Sequence, residues 1–420
     1  MNMDNLITQA RQWLTDNWNP DLSLVEWRTK LADSGWATAD WPVEYFGKGT
    51  SAEDAADIAA VFQEMGVVGA AQSGVRMLAA ATLLEHGNDA QKRKYLKRII
   101  TGEDSWCQLF SEPGSGSDLA GSTTRADLKG DEWIVNGQKV WNTSAHHADY
   151  GLLLARTDWD VPKHQGLSYF IIDMRQPGVE VRQLKQMNGH ASFNEVFMTD
   201  AVVSRDNLLS EVGNGWQVAV TTLAHERRSF DRIRGGGSFA EQKGRIYDEY
   251  RKELEIDNEP YKWYPQRAGR VDLILERARE TGAINDPVTR QEIAKLLIMS
   301  RSAQWTAARA RAAQQAGKPQ GPEGSLGKLA ASNIARLAAR VHTDISGADA
   351  LLTGAASAHD GIIAEILVSV PAVSIAGGTD EIQKNIISER VLGMPKEPRF
   401  DTGPFKDVPR NAVSGKWGAL

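Results

Sequence analysis

The 420-residue chain has one cysteine, no long hydrophobic run and a nearly balanced charge. A lone thiol, Cys107, cannot form an internal disulfide and is too little for a cysteine-rich metal site, so we expect a reducing compartment. No stretch approaches the ~18 apolar residues of a membrane span. The net charge of -6, with both signs interspersed, leaves no basic face for nucleic acid and no polybasic membrane patch. These absences predict a soluble, cytoplasmic protein that binds neither nucleic acid nor membrane.

The first residues also lack the basic-then-apolar order of a targeting segment. They read MNMDNLITQARQWLTDNW, which is amphipathic and acidic, so we expect no signal or transit peptide. The length exceeds the ~100–200 residues typical of one domain, which predicts two or three structural units.

Hydrophobic periodicity divides the chain into helical, β and helical blocks. Residues 1–105 repeat apolar positions at spacings of three and four, which predicts an N-terminal helical domain. Residues 106–208 contain short runs rich in Val, Ile, Tyr and Phe, which predict a middle antiparallel β domain with a tight hairpin at Asn136–Gly137. Residues 209–395 return to Ala-rich helices that predict a C-terminal four-helix bundle, and the polar tail 396–420 predicts no element. The expected fold class is therefore α+β.

A charged excursion, residues 241–271, interrupts the last helical block. It contains Tyr247, Tyr250, Tyr261 and Tyr264, four of the eight tyrosines in the chain. Because disordered linkers are poor in aromatic residues, we expect this segment to be ordered and packed on another element. One hypothesis is that it reshapes a subunit interface or the mouth of a pocket.

Two segments carry residues suited to ligand binding. In CQLFSEPGSGSDLAGSTTRA (107–126), glycines allow close backbone approach while hydroxyls and amides offer hydrogen bonds, although such a segment alone is more often a surface loop. It is neither a Walker A loop nor a Rossmann fingerprint. In VWNTSAHHADYGLLLARTD (140–158), Trp141 and Thr143 stand at a strand end, where a tryptophan is more often a core residue. The pair His146 and His147 lacks the context of a metal site, and we expect no metal.

These segments, followed by GGTDEIQKNIISERVLG within a helical, β, helical layout, resemble the acyl-CoA dehydrogenase family from about residue 25 to 395. The nearest likeness is to bacterial β-oxidation members, some of which act on bulky or steroid side-chain thioesters. The resemblance implies an FAD enzyme that removes hydrogens from Cα and Cβ of an acyl-CoA to give the trans-2-enoyl-CoA. It also implies electron transfer to an electron-transfer flavoprotein and a homotetramer or homodimer.

The resemblance carries FAD-binding roles onto matching positions of this chain. Ser111 matches a hydroxyl that bonds the flavin ring, Trp141 an aromatic flanking it, and Thr143 a hydroxyl beside N5. Thr379 and Glu381 match positions near the adenosine end, and Ser117 also matches a serine near CoA. The full implied FAD set is Gln108, Leu109, Phe110, Ser111, Gly116, Ser117, Trp141, Asn142, Thr143, Thr379 and Glu381.

The family's usual catalytic base is missing from its usual position. Many members have Tyr-Glu-Gly-Thr where this chain has Ala376-Gly377-Gly378-Thr379, so Gly377 replaces the base. We expect Gly377 and Gly378 to line a substrate wall with extra room, which favours branched or ring-bearing acyl groups.

A minority of the family has its base on the first long helix of the C-terminal domain, directly before an arginine. Glu226-Arg227 in LAHERRSF fits that pattern, with Glu226 as base and Arg227 near CoA. On a helix, Glu226 shares a largely apolar face with residues three, four or seven positions away: Ala219, Thr222, Leu223, Phe230 and Ile233. A carboxylate on such a face is costly unless it is paired or functional.

Two alternatives remain open at this stage. One is an acyl-CoA oxidase-type flavoenzyme, in which oxygen reoxidises the flavin. The other is a base-deficient partner subunit of a hetero-oligomeric dehydrogenase, which Gly377 favours and Glu226 opposes. The family arginine that contacts the FAD pyrophosphate from a neighbouring subunit has no clean copy here, and Arg277 and Arg279 are its candidates.

Overall fold

The computed structural model describes residues 3–71, 74–229, 239, 241–317, 321, 323–355, 357–398 and 401–408. The chain divides into two compact units. The first is Met1–Leu184 with Ser192–Pro260 and Arg399–Leu420, and the second is Lys185–Ala191 with Tyr261–Pro398. None of the described helices is both long and apolar enough to span a membrane.

Among the described residues of the first unit, seven α-helices flank or follow the sheet. Two of these helices begin at capping boxes formed by residues close in sequence. Ser23 and Glu26 cap the helix that begins at Leu24, and Asn88 and Gln91 cap the helix that begins at Asp89. The helices are α1 (Met3–Asn17), α2 (Leu24–Ser34), α3 (Ala52–Glu64), α4 (Gly74–His86), α5 (Asp89–Thr101), α6 (Gly215–Ser229) and α7 (Arg245–Asn258).

An eight-stranded sheet forms the middle of the first unit. Its strands are β1 (Trp106–Leu109), β2 (Arg125–Lys129), β3 (Glu132–Thr143), β4 (Tyr150–Arg156), β5 (Leu167–Asp173), β6 (Val179–Leu184), β7 (Phe193–Ser204) and β8 (Leu208–Leu209). The order is β6-β7-β3-β2-β4-β5-β8, and β1 pairs with β4. Pairing is mostly antiparallel, except that β1 and β2 run parallel to β4.

Strands β4 and β5 are buried on both faces. Leu152 and Tyr169 face a core that includes Leu83 of α4 and Val218 of α6, whereas Leu153 and Phe170 belong to a second core on the other face. This double burial explains why their sequences are continuous apolar runs and do not alternate.

The hairpin prediction at Asn136–Gly137 was wrong. Both residues lie inside β3, and the turn falls between β2 and β3, where Gly130 has φ 64°. The Asn136 side chain bonds across to Asp200 of β7, accepting from its backbone N–H at 2.9 Å and donating to its carboxylate at 3.0 Å. A register shift follows, between Val135 and Gly137, so the dipeptide marks a bulge.

The second unit contains the remaining helices. They are α8 (Tyr264–Arg267), α9 (Ile274–Glu280), α10 (Pro287–Gln315), α11 (Glu323–Ser346), α12 (Ile362–Ser369) and α13 (Asp380–Arg390). Ile293 and Leu296 of α10 pack with Leu337 and Val341 of α11 in one apolar core. The predicted fold class, helical then β then helical, is therefore confirmed.

The excursion and the tail both contain ordered structure. Residues 245–258 of the excursion form α7, and Tyr247 and Trp263 are buried. In the tail, for which no element was predicted, Phe405–Asp407 forms a single 3₁₀ turn with Phe405 buried.

Candidate active site

The turn after strand β1 is closed by backbone hydrogen bonds and is open beside Gly116. The Ser111 carbonyl accepts from the Val140 N–H at 2.9 Å, and Glu112 and Ser115 exchange two backbone hydrogen bonds of 2.9 and 3.0 Å. Beyond this closed turn, no described atom lies within 4 Å of where a side chain would begin at Gly116. The turn therefore leaves room for a ligand against its backbone.

A buried ion pair supports this turn. The Lys139 ammonium lies 2.9 Å from the Glu112 carboxylate and also donates to the Phe110 carbonyl at 2.9 Å. Burial alone would raise the pKa of Glu112, but Lys139 and hydrogen bonds from Thr123 and Thr124 lower it to about 2. The turn is thus fixed by charge as well as by backbone bonds.

Trp141 projects from a bulge in β3. Its backbone has φ 64°, and its indole is 59% exposed while contacting the Phe193 ring edge-on at 6.0 Å. The next residue, Asn142, is buried and donates to the Gln108 carbonyl at 2.7 Å. The Asn142 Oδ1 atom is also buried and finds no donor among the described residues. Thr143 ends the strand and is half-buried.

Glu226 lies on α6 at the edge of an apolar core. Ala219 and Thr222 on the same face are fully buried, and Leu223 packs against that core. The Gln108 side-chain amide donates to Glu226 Oε2 at 3.4 Å, so the helix and β1 meet at this carboxylate. Phe230 and Ile233, which periodicity also placed on this face, lie outside the described residues. The side chain of Arg227, the predicted CoA-binding residue, lies outside them too.

A chain of buried hydroxyls holds α6 one turn before Glu226. Thr222 Oγ1 lies 2.9 Å from Thr82 Oγ1 of α4 and 3.0 Å from the Tyr169 hydroxyl of β5. All three residues are inaccessible to solvent. Burial raises the pKa of the Tyr169 phenol, which therefore stays neutral and can donate to or accept from Thr222. The sequence pattern did not predict these contacts among Thr82, Thr222 and Tyr169.

The glycine turn belongs to the second unit. Gly377 and Gly378 have φ of 69° and 86°, and Gly377 is exposed with no described atom within 4 Å of a side-chain position. Thr379 caps α13 by accepting from the Ile382 N–H at 3.3 Å. Glu381 is exposed on the first turn of α13. The turn is exposed, and a glutamate at position 377 would have a strained backbone because φ is positive there.

Two further charged residues of the second unit have structural partners. Asp380 is buried between Arg336 at 2.6 Å and Lys328 at 3.3 Å, which accounts for the acid next to the glycine turn. Arg277, a candidate for pyrophosphate binding, is buried and bonds to Asp349 at 3.0 Å, whereas Arg279 is exposed. Of the two arginines, only Arg279 faces solvent in the described part of this unit.

The first unit thus brings together the segment 108–117, the strand end 141–143 and Glu226. Thr379, Glu381 and the two glycines lie in the second unit. Within the first unit, the exposed Trp141 indole, the open position at Gly116 and the Asn142 Oδ1 atom without a described donor fit a planar heteroaromatic group such as the flavin of FAD. Within the described residues, no group of three or more His, Cys, Asp or Glu side chains could hold a metal ion.

Three family models together match about three quarters of the chain. They are the acyl-CoA dehydrogenase N-terminal domain at residues 3–103, the middle domain at 107–201 and the C-terminal domain at 268–392. The acyl-CoA dehydrogenase IpdE1 of Mycobacterium tuberculosis is 32% identical over 93% of this chain and 97% of its own length. The acyl-CoA dehydrogenase FadE34 of the same organism is 33% identical over 87% of this chain and 46% of its own length.

Solved structures give the same fold. A chain of the ChsE4-ChsE5 complex from Mycobacterium tuberculosis matches with a TM-score of 0.65 and 24% identity, over 94% of this chain and 98% of that one. The Tcur3481-Tcur3483 steroid ACAD matches with a TM-score of 0.66 and 22% identity, over 94% and 98%. With the motifs, the fold, the three family models and a relative matched over 97% of its length in agreement, this chain belongs to the acyl-CoA dehydrogenase family of FAD-dependent oxidoreductases.

Proposed function

We propose that this chain catalyses the α,β-dehydrogenation of an acyl-CoA thioester, with Glu226 as the base that removes the α-proton. The observation that carries this proposal is the contact between Glu226 and Gln108, 3.4 Å from amide nitrogen to carboxylate oxygen. Gln108 opens the segment that matches the family's flavin-binding stretch, so the carboxylate stands beside that stretch. Gly377, at the family's usual base position, has no group that accepts a proton.

The surroundings of Glu226 suit proton abstraction. When bound, FAD supplies the acceptor for the β-hydride. Glu226 then has to take a weakly acidic α-proton, and a carboxylate among apolar groups is a stronger base than one in water. The buried Ala219 and the packed Leu223 supply that apolar side, while the Gln108 amide orients one carboxylate oxygen.

We further propose a branched or ring-bearing acyl group. Gly377 carries no side chain and its surroundings are open, which leaves room that a glutamate would fill. One fold relative is described as a steroid ACAD, which is consistent with such a substrate class. The test is a panel of straight-chain, branched and steroid side-chain CoA thioesters, scored by anaerobic bleaching of the flavin. Faster bleaching by straight-chain thioesters would contradict the proposed acyl class.

For the electron acceptor and assembly, we propose an electron-transfer flavoprotein and a homo-oligomer, a tetramer or a dimer. An oxidase-type enzyme would instead reoxidise rapidly when the substrate-reduced protein is exposed to oxygen. The competing assembly is a hetero-oligomer, because two fold relatives are described as two-component proteins. Purifying this chain alone separates the two assemblies: stoichiometric FAD and turnover support the homo-oligomer, and a colourless, inactive protein supports a partner-dependent subunit.

The assignment of the base is tested by Glu226→Gln. The amide keeps the size and a hydrogen-bonding group but cannot accept the proton, so we expect FAD binding to persist and dehydrogenation to fall by about 10²–10⁴-fold. The measurement is the single-turnover rate of flavin bleaching, with FAD content from absorbance.

The matched control is Glu211→Gln, which neutralises an exposed acid in the loop just before α6. It should bleach at the parental rate. Parental bleaching by Glu226→Gln itself would show that another group is the base.

A further inference from the structure

The inner side of the Trp141 bulge is a buried amide. Pairing between β3 and β7 shifts between Val140 and Asn142, with Trp141 between them. The bulge turns the indole outwards and leaves Asn142 only 2% exposed. Because a bulge re-aims the side chains on either side of it, the groups that hold Asn142 also set the direction of the indole.

Two carbonyl contacts fix the orientation of two side-chain amides. Asn142 Nδ2 lies 2.7 Å from the Gln108 carbonyl oxygen, and Asn194 Nδ2 lies 2.8 Å from the Asn142 carbonyl oxygen. A carbonyl oxygen only accepts, so both nitrogens are the donors. Asn194, which is inaccessible to solvent, therefore turns its Oδ1 atom away from the bulge as an acceptor.

The acceptor on Asn194 is used by His146. Its Nδ1 atom lies 3.0 Å from Asn194 Oδ1, so Nδ1 carries the proton. The other ring nitrogen, Nε2, lies 3.2 Å from Gln183 Nε2, which is a donor. With the Gln183 amide in this orientation, the neutral ring with Nδ1 protonated satisfies both contacts. The series of hydrogen bonds therefore runs from an imidazole at the edge of the sheet to the strand that holds Gln108.

We propose that His146, Asn194 and Asn142 are positioning residues for the active site, because their continuous hydrogen bonds fix the Trp141 bulge and the Gln108 backbone. For its effect on the base, this inference rests on the proposed role of Glu226, which the Gln108 side chain contacts. Its effect on the indole does not depend on that role.

The burial of these polar groups supports a positioning role. Buried polar side chains are retained at a cost and give rigidity when their hydrogen bonds are made. In Asn142 part of this desolvation cost remains, because its Oδ1 atom is buried without a described donor. Its Nδ2 atom donates to the Gln108 carbonyl. An aliphatic residue would avoid the unsatisfied oxygen but would release the Gln108 carbonyl.

The network also predicts a pH dependence. Burial and the neighbouring His147 ring, 4.0 Å away between centroids, lower the pKa of His146. Protonation of Nε2 in acid turns an acceptor into a donor that faces the Gln183 donor. The groups that face His146 are His147, Asn194, Gln183, Glu259 and Arg175.

The test uses the FAD-bound, full-length protein with variants of His146. His146→Ala removes the donor to Asn194, whereas His146→Asn keeps an N–H near the position of Nδ1. We expect the alanine variant to shift the flavin absorption band and its midpoint potential, and to lower kcat by about tenfold with KM nearly unchanged. The asparagine variant should restore the parental spectrum and potential.

A pH titration of the flavin spectrum is the second measurement. The unmutated protein should change its spectrum in acid as His146 gains a proton, and His146→Asn should not. The control His147→Ala keeps the hydrogen bonds and removes one group that lowers the pKa of His146, so the change should move to higher pH. An alanine variant that bound no FAD would leave this titration of His146→Asn and His147→Ala as the deciding measurement.

The inference is overturned if His146→Ala leaves the spectrum, the potential and their pH dependence at parental values, or if His146→Asn behaves as His146→Ala does. Failure of the base assignment gives a different result. In that case Glu226→Gln would bleach normally while the spectral effects of His146→Ala remained.

Discussion

Lys139 and Glu112 show how one buried ion pair supports the open turn of the site. Lys139 is inaccessible and its ammonium has the Glu112 carboxylate and the Phe110 carbonyl as partners. Lys139→Met leaves the carboxylate buried without its cation, and we expect a loss of about 3–5 kcal/mol in the free energy of unfolding. Denaturant unfolding followed by circular dichroism measures it. The double variant with Glu112→Gln should lose less than Lys139→Met alone, and equal losses would contradict the coupling.

The same pair predicts an acid dependence of stability. The pKa of Glu112 is about 2 in the folded protein against a usual value of 4.5. Because the folded pKa is the lower one, this stabilisation is complete above about pH 4.5 and is lost as the pH falls towards 2. Burial lowers the pKa of Lys139, so desolvation of the ammonium offsets part of the gain. Unfolding from pH 7 to 3 should show a shallower acid loss in Glu112→Gln than in the parent.

The two glycines of the 377–378 turn predict different costs for alanine. Both have positive φ, so each alanine incurs backbone strain of about 1–2 kcal/mol. At Gly377 the new Cβ would have open space, whereas at Gly378 it would lie 2.6 Å from the Gln383 amide nitrogen, which bonds to the Gly377 carbonyl at 3.2 Å. Gly378→Ala should therefore destabilise the second unit more than Gly377→Ala in denaturant unfolding. A reversed order would contradict this turn geometry.

At the scale of single residues, the sequence shows which side chains share a helical face but not which side chains a partner strand supplies. Glu226 was selected from the family pattern of a glutamate directly before an arginine, and helical periodicity supported it. The buried Ala219 and Thr222 agree with that period, and the role of Glu226 as base stays a prediction. Asn194 and His146 gave no such signal, because their role depends on β7 lying beside β3. Hydrogen bonds between residues about fifty positions apart cannot be deduced from spacing in one sequence.

At the scale of elements, α7 is held on the N-terminal helices by charge. Glu253 accepts two bonds from the buried Arg28, at 2.9 and 2.6 Å, and Asp257 lies 3.2 Å from Arg76. This explains why so charged a segment is ordered. Interface remodelling by the excursion remains a hypothesis.

The Arg28–Glu253 pair can be tested against a neighbour on the same helix. Glu253→Gln leaves the Arg28 guanidinium buried with a neutral partner, so we expect a loss of about 3–5 kcal/mol. Glu255→Gln, at an exposed position on α7, should change stability by less than about 0.5 kcal/mol. Denaturant unfolding measures both, and equal effects would show that the pair contributes nothing specific.

One change of hydrophobic period along the chain lies close to a change of secondary structure, whereas the predicted turn is absent from the described residues. The change from helix to strand period near residue 105 agrees with the end of α5 at Thr101 and the start of β1 at Trp106. The Asn136–Gly137 turn failed because the Asn136 side chain finds Asp200 across the sheet and the strand continues. Local turn preference gave way to a tertiary contact that the sequence pattern does not contain.

At the scale of the whole molecule, the chain returns to its first unit through residues 401–408. The Phe405 N–H donates to the Val161 carbonyl at 2.9 Å, and its buried ring lies 3.4 Å from the Arg156 guanidinium carbon, measured to the ring centroid. Arg156 is inaccessible and donates to the Ser122 carbonyl at 3.0 Å, close to the segment that follows the open turn. This tail contact was not predicted, since a polar, proline-punctuated tail has no periodic signal.

The contact between Phe405 and Arg156 predicts that replacing Phe405 detaches residues 401–408 locally. In a rigid core, Phe405→Ala would lower the free energy of unfolding by about 3–5 kcal/mol. Because residues 401–408 can detach by themselves, the loss cannot exceed the free energy with which this segment binds the rest of the first unit. We therefore expect faster proteolysis at residues 401–408 together with a smaller fall in global stability. Lys406→Ala removes an exposed ion pair with Asp160. It should change the free energy of unfolding by at most about 1 kcal/mol and leave the rate of proteolysis nearly parental. Unchanged proteolysis in Phe405→Ala would mean that the aromatic contact with Arg156 does not hold the tail.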